Sequence, residues 1–101
     1  MNDLIILGAG PGGMSAAIYA VRSGLTTLVI EKFMPGGQVL NTADVENYPG
    51  FEDPITGYEL VTAMEKQVRR LGAEIITADI LSVERNEKED KMVCRDSSGN
   101  I

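Results

Sequence analysis

Gly8, Gly10 and Gly13 stand at the spacing Gly-x-Gly-x-x-Gly, and 23 residues after Gly8 a carboxylate, Glu31, ends an apolar run. Those types at those spacings point to one chemistry, the binding of the pyrophosphate and ribose of a dinucleotide. Gly8 permits a tight turn out of a strand. Gly10 leaves room for phosphate oxygens to approach the backbone, and Gly13 lets a helix lie close to the strand. Pro11 and Gly12 complete the turn. The helix that follows offers free N–H groups and a partial positive charge to the anion. Glu31 suits a ribose, whose hydroxyls its carboxylate can accept, and it repels a 2′-phosphate, which favours FAD or NAD over NADP at this position. The plain alternatives are a structural turn and a charge that merely ends a strand.

Elements must hold these groups in place. Leu4–Leu7 reads as the first strand. Pro11–Ser23 reads as a helix, with Met14, Ala17, Ile18 and Val21 on one stripe and the small Ala16, Ala17 and Ala20 allowing close packing on a sheet. Gly24 suits a left-handed C-terminal cap. Thr27–Glu31 reads as the second strand. Its Leu28-Val29-Ile30 core is continuous rather than alternating, as in a parallel strand covered on both faces.

Lys32 to Ile55 is irregular and holds Pro35-Gly36-Gly37-Gln38, Asn47-Tyr48-Pro49-Gly50 and Asp53-Pro54. A plain nicotinamide-binding half passes from strand to helix within a few residues, whereas a stretch this long in a compact domain is usually functional. Val39, Leu40, Val45, Tyr48 and Phe51 argue that it is ordered, and a loop of this kind can wrap a longer cofactor such as FAD. A second helix starts at Thr56-Gly57-Tyr58-Glu59, with Thr56 and Glu59 at capping-box spacing. Leu60, Val61, Met64, Val68 and Leu71 form its apolar stripe. Arg69 and Arg70 lie in its last turn, where cations oppose the dipole, and Gly72 ends it. Glu74–Thr77 reads as a third strand. Beyond it, Ile80–Glu84 and Met92–Arg95 are strand candidates around a charged turn, Asn86–Lys91. Ser97–Asn100 then predicts a further turn, as in a β-meander cut before its third strand.

Composition sets the outer bounds. At 101 residues the chain is one domain or part of one. A hydrophobic fraction of 44% and a charged fraction of 24% fit a soluble globular protein. A net charge of −6 without clustered Lys and Arg argues against nucleic acid as a partner. No apolar run has the length of a membrane span. A strand at the very start leaves no room for a signal peptide, so cytoplasmic residence is expected. Cys94 is the single cysteine, which excludes an intrachain disulfide framework and reads as a small packed residue. No metal site and no catalytic side chain are expected from these residues.

Taken together, GAGPGGMSAA, then LVIEK, then GGQ with NTADVENYPGF, then ITGYEL resemble the N-terminal part of the FAD domain of low-molecular-weight thioredoxin reductases. The likeness holds in order and spacing along residues 3 to 85, and VENYPG is its most specific piece. Gly12 departs from the family, where alanine is more frequent.

The resemblance implies an α/β fold, a three-layer Rossmann-like FAD-binding domain in part, with a parallel sheet, helices and the start of a β-meander. It implies that Gly10, Pro11, Gly12 and Gly13 line the pyrophosphate and that Glu31 holds the adenosine ribose. The loop from Lys32 through Gly36 to Gln38 would cover the ADP part, with Gly37 and Gln38 closest, and Asn47 would sit near the flavin end. In that family, a class of pyridine nucleotide-disulfide oxidoreductases, NADPH reduces FAD, and FAD reduces a Cys-x-x-Cys disulfide that serves thioredoxin. The relatives are homodimeric and cytosolic.

This sequence contains no Cys-x-x-Cys and no second Gly-x-Gly-x-x-Gly. Residues 1–101 are therefore expected to be the N-terminal portion of a longer enzyme, without its NADPH domain and C-terminal FAD segment, and inactive alone. A ferredoxin–NADP reductase-like flavoenzyme, or a disulfide reductase serving a peroxidase, is compatible with the same residues. The rival from another class is a non-catalytic dinucleotide-binding module.

Overall fold

Three apolar segments, β1 (Leu4–Leu7), β2 (Thr27–Glu31) and β3 (Glu74–Thr77), form a parallel sheet in that spatial order in the computed structural model, which describes residues 1–100. The register sets Ile6 beside Val29 and Val29 beside Ile75. β2 lies between two neighbours, and Thr27 through Ile30 are all buried, as the continuous apolar core requires of a parallel strand covered on both faces. Among the described residues β1 pairs with β2 alone.

The connections carry α1 (Pro11–Arg22) and α2 (Gly57–Arg70). Both crossovers step the same way across the sheet, and right-handed crossovers in one direction put their helices on one face. The two helices accordingly pack on each other and on the sheet. Met14 and Ala17 of α1 meet Leu60, Val61, Met64 and Val68 of α2 over Val29 and Ile75. Met14, Val29, Leu60, Val61 and Val68 are the largest fully buried side chains, and burial of each contributes about 1.5–3 kcal/mol. Ala17 and Ala20 face inward as the small-residue reading requires, while Ala16 is exposed.

The termini show why the helices stop where they do. α1 ends at Arg22, one residue earlier than predicted, because Ser23 is its cap and Gly24 turns with φ +86°. At the start of α2 the Thr56 hydroxyl accepts the Glu59 N–H over 3.1 Å. The reciprocal half of the predicted capping box differs. The Glu59 carboxylate accepts from the Thr56 hydroxyl over 2.8 Å rather than from the Thr56 backbone N–H.

The stretch 32–55 is laid down as one short helical turn, Gly37–Asn41, and an antiparallel bridge between Val45 and Ile55. Val39, Leu40, Val45, Tyr48 and Ile55 pack against the core and hold it there.

The second sheet is antiparallel: β4 (Ser82–Asn86), β5 (Lys91–Asp96) and β6 (Gly99–Asn100). β4 lies two residues beyond the predicted Ile80–Glu84, and Asn86 pairs with Lys91, so the turn contracts to 87–90. The side-chain oxygen of Asn86 closes it by accepting from the Lys88 and Glu89 N–H groups. The meander is not cut before its third strand. Asp96 accepts the Ser98 N–H over 2.8 Å and tightens the turn, so that Gly99 and Asn100 already pair with Asp96 and Arg95. Cys94 is buried in β5 opposite Val83, a packed residue as its type suggests. Among the described residues no helix is long and apolar enough to cross a membrane.

Candidate dinucleotide-binding site

The site forms where the three parallel strands end. As β1 finishes, the Gly8 N–H donates to the Ile30 carbonyl over 2.8 Å and the chain turns at φ +107°, a conformation that favours glycine. Gly10 then caps α1 in ordinary extended geometry, with Pro11 in the first helical position. Among the described residues no side chain caps this terminus, and its first turn holds no acidic residue. The N–H groups of the first turn have no partner inside a helix, so the terminus presents donors and a positive dipole end to an anion.

Three glycines of this turn differ in what surrounds them. A Cβ on Gly13 would overlap the carbonyl oxygen of Gly8. The helix therefore lies against the strand end only because no side chain intervenes. A Cβ on Gly10 or Gly12 would meet nothing within 4 Å. Open space in front of an uncapped helix terminus is the cradle that a pyrophosphate group fits, and the donor set matches its charge.

Glu31, at the end of β2, leans toward this turn. One carboxylate oxygen accepts the Ala9 N–H over 2.9 Å and the other accepts the Phe33 N–H over 2.9 Å. Its backbone carbonyl accepts from Ala78, just past β3. Ala9 is fully buried, and its own carbonyl accepts from Gly36 over 2.6 Å. The Cβ direction of Gly37 comes within 3.4 Å of the Gly10 Cα. Lys32 is exposed, 3.8 Å from the Asp79 carboxylate and 5.3 Å above the Phe33 ring. At that exposure the ion pair contributes at most about 1 kcal/mol.

The structure thus gathers Gly8, Gly10, Pro11, Gly12, Gly13, Glu31, Gly36 and Gly37 around one turn, with Lys32 beside it. Gln38 and Asn47 are exposed. Gln38 lies one residue past Gly37, and Asn47 is in the bend after Val45. A cavity of about 230 Å³ opens at the strand ends, between Gly8, Ile30, Glu31, Lys32, Ala78 and Asp79. That is where open parallel sheets bind ligands. A larger concavity of about 960 Å³ lies between β1 and the β4–β5 hairpin, but no residue of the glycine turn lines it. Of the two, the smaller one adjoins the glycine turn, through Gly8, and Glu31 lines it. Sequence reasoning missed Ala9, Phe33, Ala78 and Asp79. The first three act through their backbone, which carries no signature of side-chain type, and only the acidic side chain of Asp79 was there to be noticed.

Comparison with known proteins agrees with this fold. The family described as pyridine nucleotide-disulphide oxidoreductase matches residues 2–100. The chain is 53% identical over 91 residues to a thioredoxin reductase of Bacillus subtilis, covering 90% of the chain and 28% of that protein. It is 48% identical over 83 residues to a bifunctional thioredoxin reductase/thioredoxin of Mycobacterium leprae, covering 82% of the chain and 18% of that protein. Among solved structures, thioredoxin reductase of Lactococcus lactis superposes with a TM-score of 0.92 at 38% identity, over 100% of this chain and 32% of that one. The chain spans less than a third of the length of these relatives.

Proposed function

This chain belongs to the pyridine nucleotide-disulphide oxidoreductase family, and from that premise we propose that it is the FAD-binding portion of a thioredoxin-reductase-like enzyme. The observation that carries the reading is the uncapped glycine turn, with open space before Gly10 and Gly12 and Glu31 beside it.

In this reading the N-terminal N–H groups of α1 bind the pyrophosphate, and Gly10 admits it. Glu31 takes the adenosine ribose through its remaining lone pairs and disfavours a 2′-phosphate by charge. Lys32, Gly36, Gly37 and Gln38 shield the ADP part, and Asn47 serves the flavin end. FAD, when bound, supplies the chemistry that relays electrons from reduced nicotinamide to a disulfide. The sequence has one cysteine and one Gly-x-Gly-x-x-Gly, so the NADPH site and the redox dithiol belong to other parts of the proposed enzyme. Thioredoxin as the final acceptor, a homodimeric parent and cytoplasmic residence complete the proposal on the likeness to the thioredoxin reductases.

Flavin fluorescence quenching on the intact protein tests it. FAD is expected to bind the unaltered protein and not Gly10→Val. Equal binding by both would remove the turn from the site.

A further inference from the structure

We propose that Glu31 is a positioning residue, whose carboxylate fixes the glycine turn in its anion-binding shape before any ligand arrives. The proposal rests on the dinucleotide reading and adds a second task to the ribose-facing acid. The geometry separates the two tasks. Ala9 is fully buried, so its N–H has no water to turn to, and Glu31 is its partner at 2.9 Å. The Ala9 carbonyl is held from the opposite side by Gly36 at 2.6 Å.

With both peptide groups flanking Ala9 tied down, the peptide that leads into Gly10 and the start of α1 has one orientation. The second Glu31 oxygen holds the Phe33 N–H, which starts the loop toward Gly36 and Gly37. One carboxylate therefore links the turn after β1, the end of β2 and the loop that lies on the turn. A carboxylate offers about four acceptor directions. Two are taken by backbone, and those left over are free for ribose hydroxyls.

An amide in place of this acid keeps one acceptor and turns an NH₂ group toward the other backbone N–H. The turn should then loosen even when the ligand has no ribose hydroxyls to bind. The probes are ADP and 2′,3′-dideoxy-ADP, titrated calorimetrically into the intact protein and its Glu31→Gln variant, with amide exchange recorded without ligand. The variant is expected to bind 2′,3′-dideoxy-ADP about tenfold more weakly, the loss of one charge-assisted bond, and ADP more weakly still, because its ribose contact is weakened as well. Exchange at the Ala9 N–H should quicken while the Val29 amide stays protected. A loss confined to ADP, with 2′,3′-dideoxy-ADP bound equally by both proteins, would limit Glu31 to the ribose and overturn the proposal. If the unaltered protein bound neither nucleotide, the dinucleotide reading would fail instead. Should Glu31→Gln not fold, exchange in the unaltered protein decides. An Ala9 N–H protected like that of Val29 supports positioning, and a fast one overturns it.

Discussion

The N–H of Gly36 donates to the carbonyl of Ala9 over 2.6 Å, and that bond fastens the loop after β2 onto the turn after β1. The fastening depends on glycine twice over. Gly36 has φ +123°, and a Cβ there would sit 2.7 Å from Leu40 Cγ and 2.8 Å from Val61 Cγ2. Leu40 belongs to the short helical turn and Val61 to the core of α2, so neither neighbour can withdraw without opening a packed contact.

Gly36→Ala should therefore lower stability by about 2 kcal/mol, from left-handed strain and overpacking together. Thermal unfolding followed by circular dichroism measures it, at about 4–8 °C per kcal/mol for a domain of this size. An unchanged melting temperature would mean that the loop is not seated on α2 as described.

Gly57 makes the matching contact at the other end of the loop. Its N–H donates to the Thr42 carbonyl over 2.8 Å, and a Cβ would overlap the Val39 carbonyl oxygen. Elsewhere in a first helical turn, alanine in place of glycine stabilises by up to about 1 kcal/mol. Here Gly57→Ala should destabilise by 2 kcal/mol or more (on the order of a core overpacking defect). Chemical denaturation settles the sign.

What the sequence made legible follows from which forces act through side-chain type. The bounds of β1, β2 and β3 coincide with those predicted from apolar runs, because burial on a parallel sheet selects such runs directly. The glycine spacing announced the turn for a similar reason, since Gly13 is excluded from carrying any side chain at all. The first strand of the hairpin lies two residues later than its apolar run suggests, because Ile80 and Leu81 look like strand. In the structure regular pairing begins only at Ser82, after the Leu81 N–H has met the Arg95 carbonyl. The partners of Glu31 were invisible for another reason. Ala9, Phe33 and Ala78 bond through main-chain atoms that every residue possesses. The loop that holds Gln38 and Asn47 is marked by its glycines and its length, but the separate roles of the two residues rest on family likeness.

The cap of α2 offers a smaller and cleaner measurement. Thr56→Ala removes the acceptor of the Glu59 N–H and should cost about 1 kcal/mol. Glu59→Gln keeps an oxygen to accept the Thr56 hydroxyl and should cost less than half of that. If the two substitutions were equally damaging, the carboxylate charge at the helix terminus would be the larger contribution.

Cys94 is 5% exposed and lies opposite Val83 in the β4–β5 ladder. The 101-residue chain, supplied with FAD, NADPH and oxidised thioredoxin, should therefore show no turnover above buffer, since no second thiol exists in it to form a redox disulfide. Cys94→Ala should leave that null result unchanged. Thioredoxin reduction by the chain alone would require an electron route that its single buried thiol does not provide.

The sharpest separation of fold from ligand lies between Gly10 and Gly13, three residues apart. A side chain at position 10 points into open space at an ordinary φ of −78°. Gly10→Val should fold, losing no more than about 1 kcal/mol for a poorer helix cap. A side chain at position 13 runs into the Gly8 carbonyl, and Gly13→Ala should cost several times as much or prevent folding. Binding should rank the other way among proteins that fold. Gly10→Val fills the space the pyrophosphate needs, and FAD affinity in the intact protein should fall below detection while the melting temperature moves only a few degrees. Calorimetry for folding and fluorescence quenching for FAD, run on the same preparations, give both numbers. A Gly10→Val protein that was stable and still bound FAD with unchanged affinity would show that the open space before the turn is not where the cofactor lies.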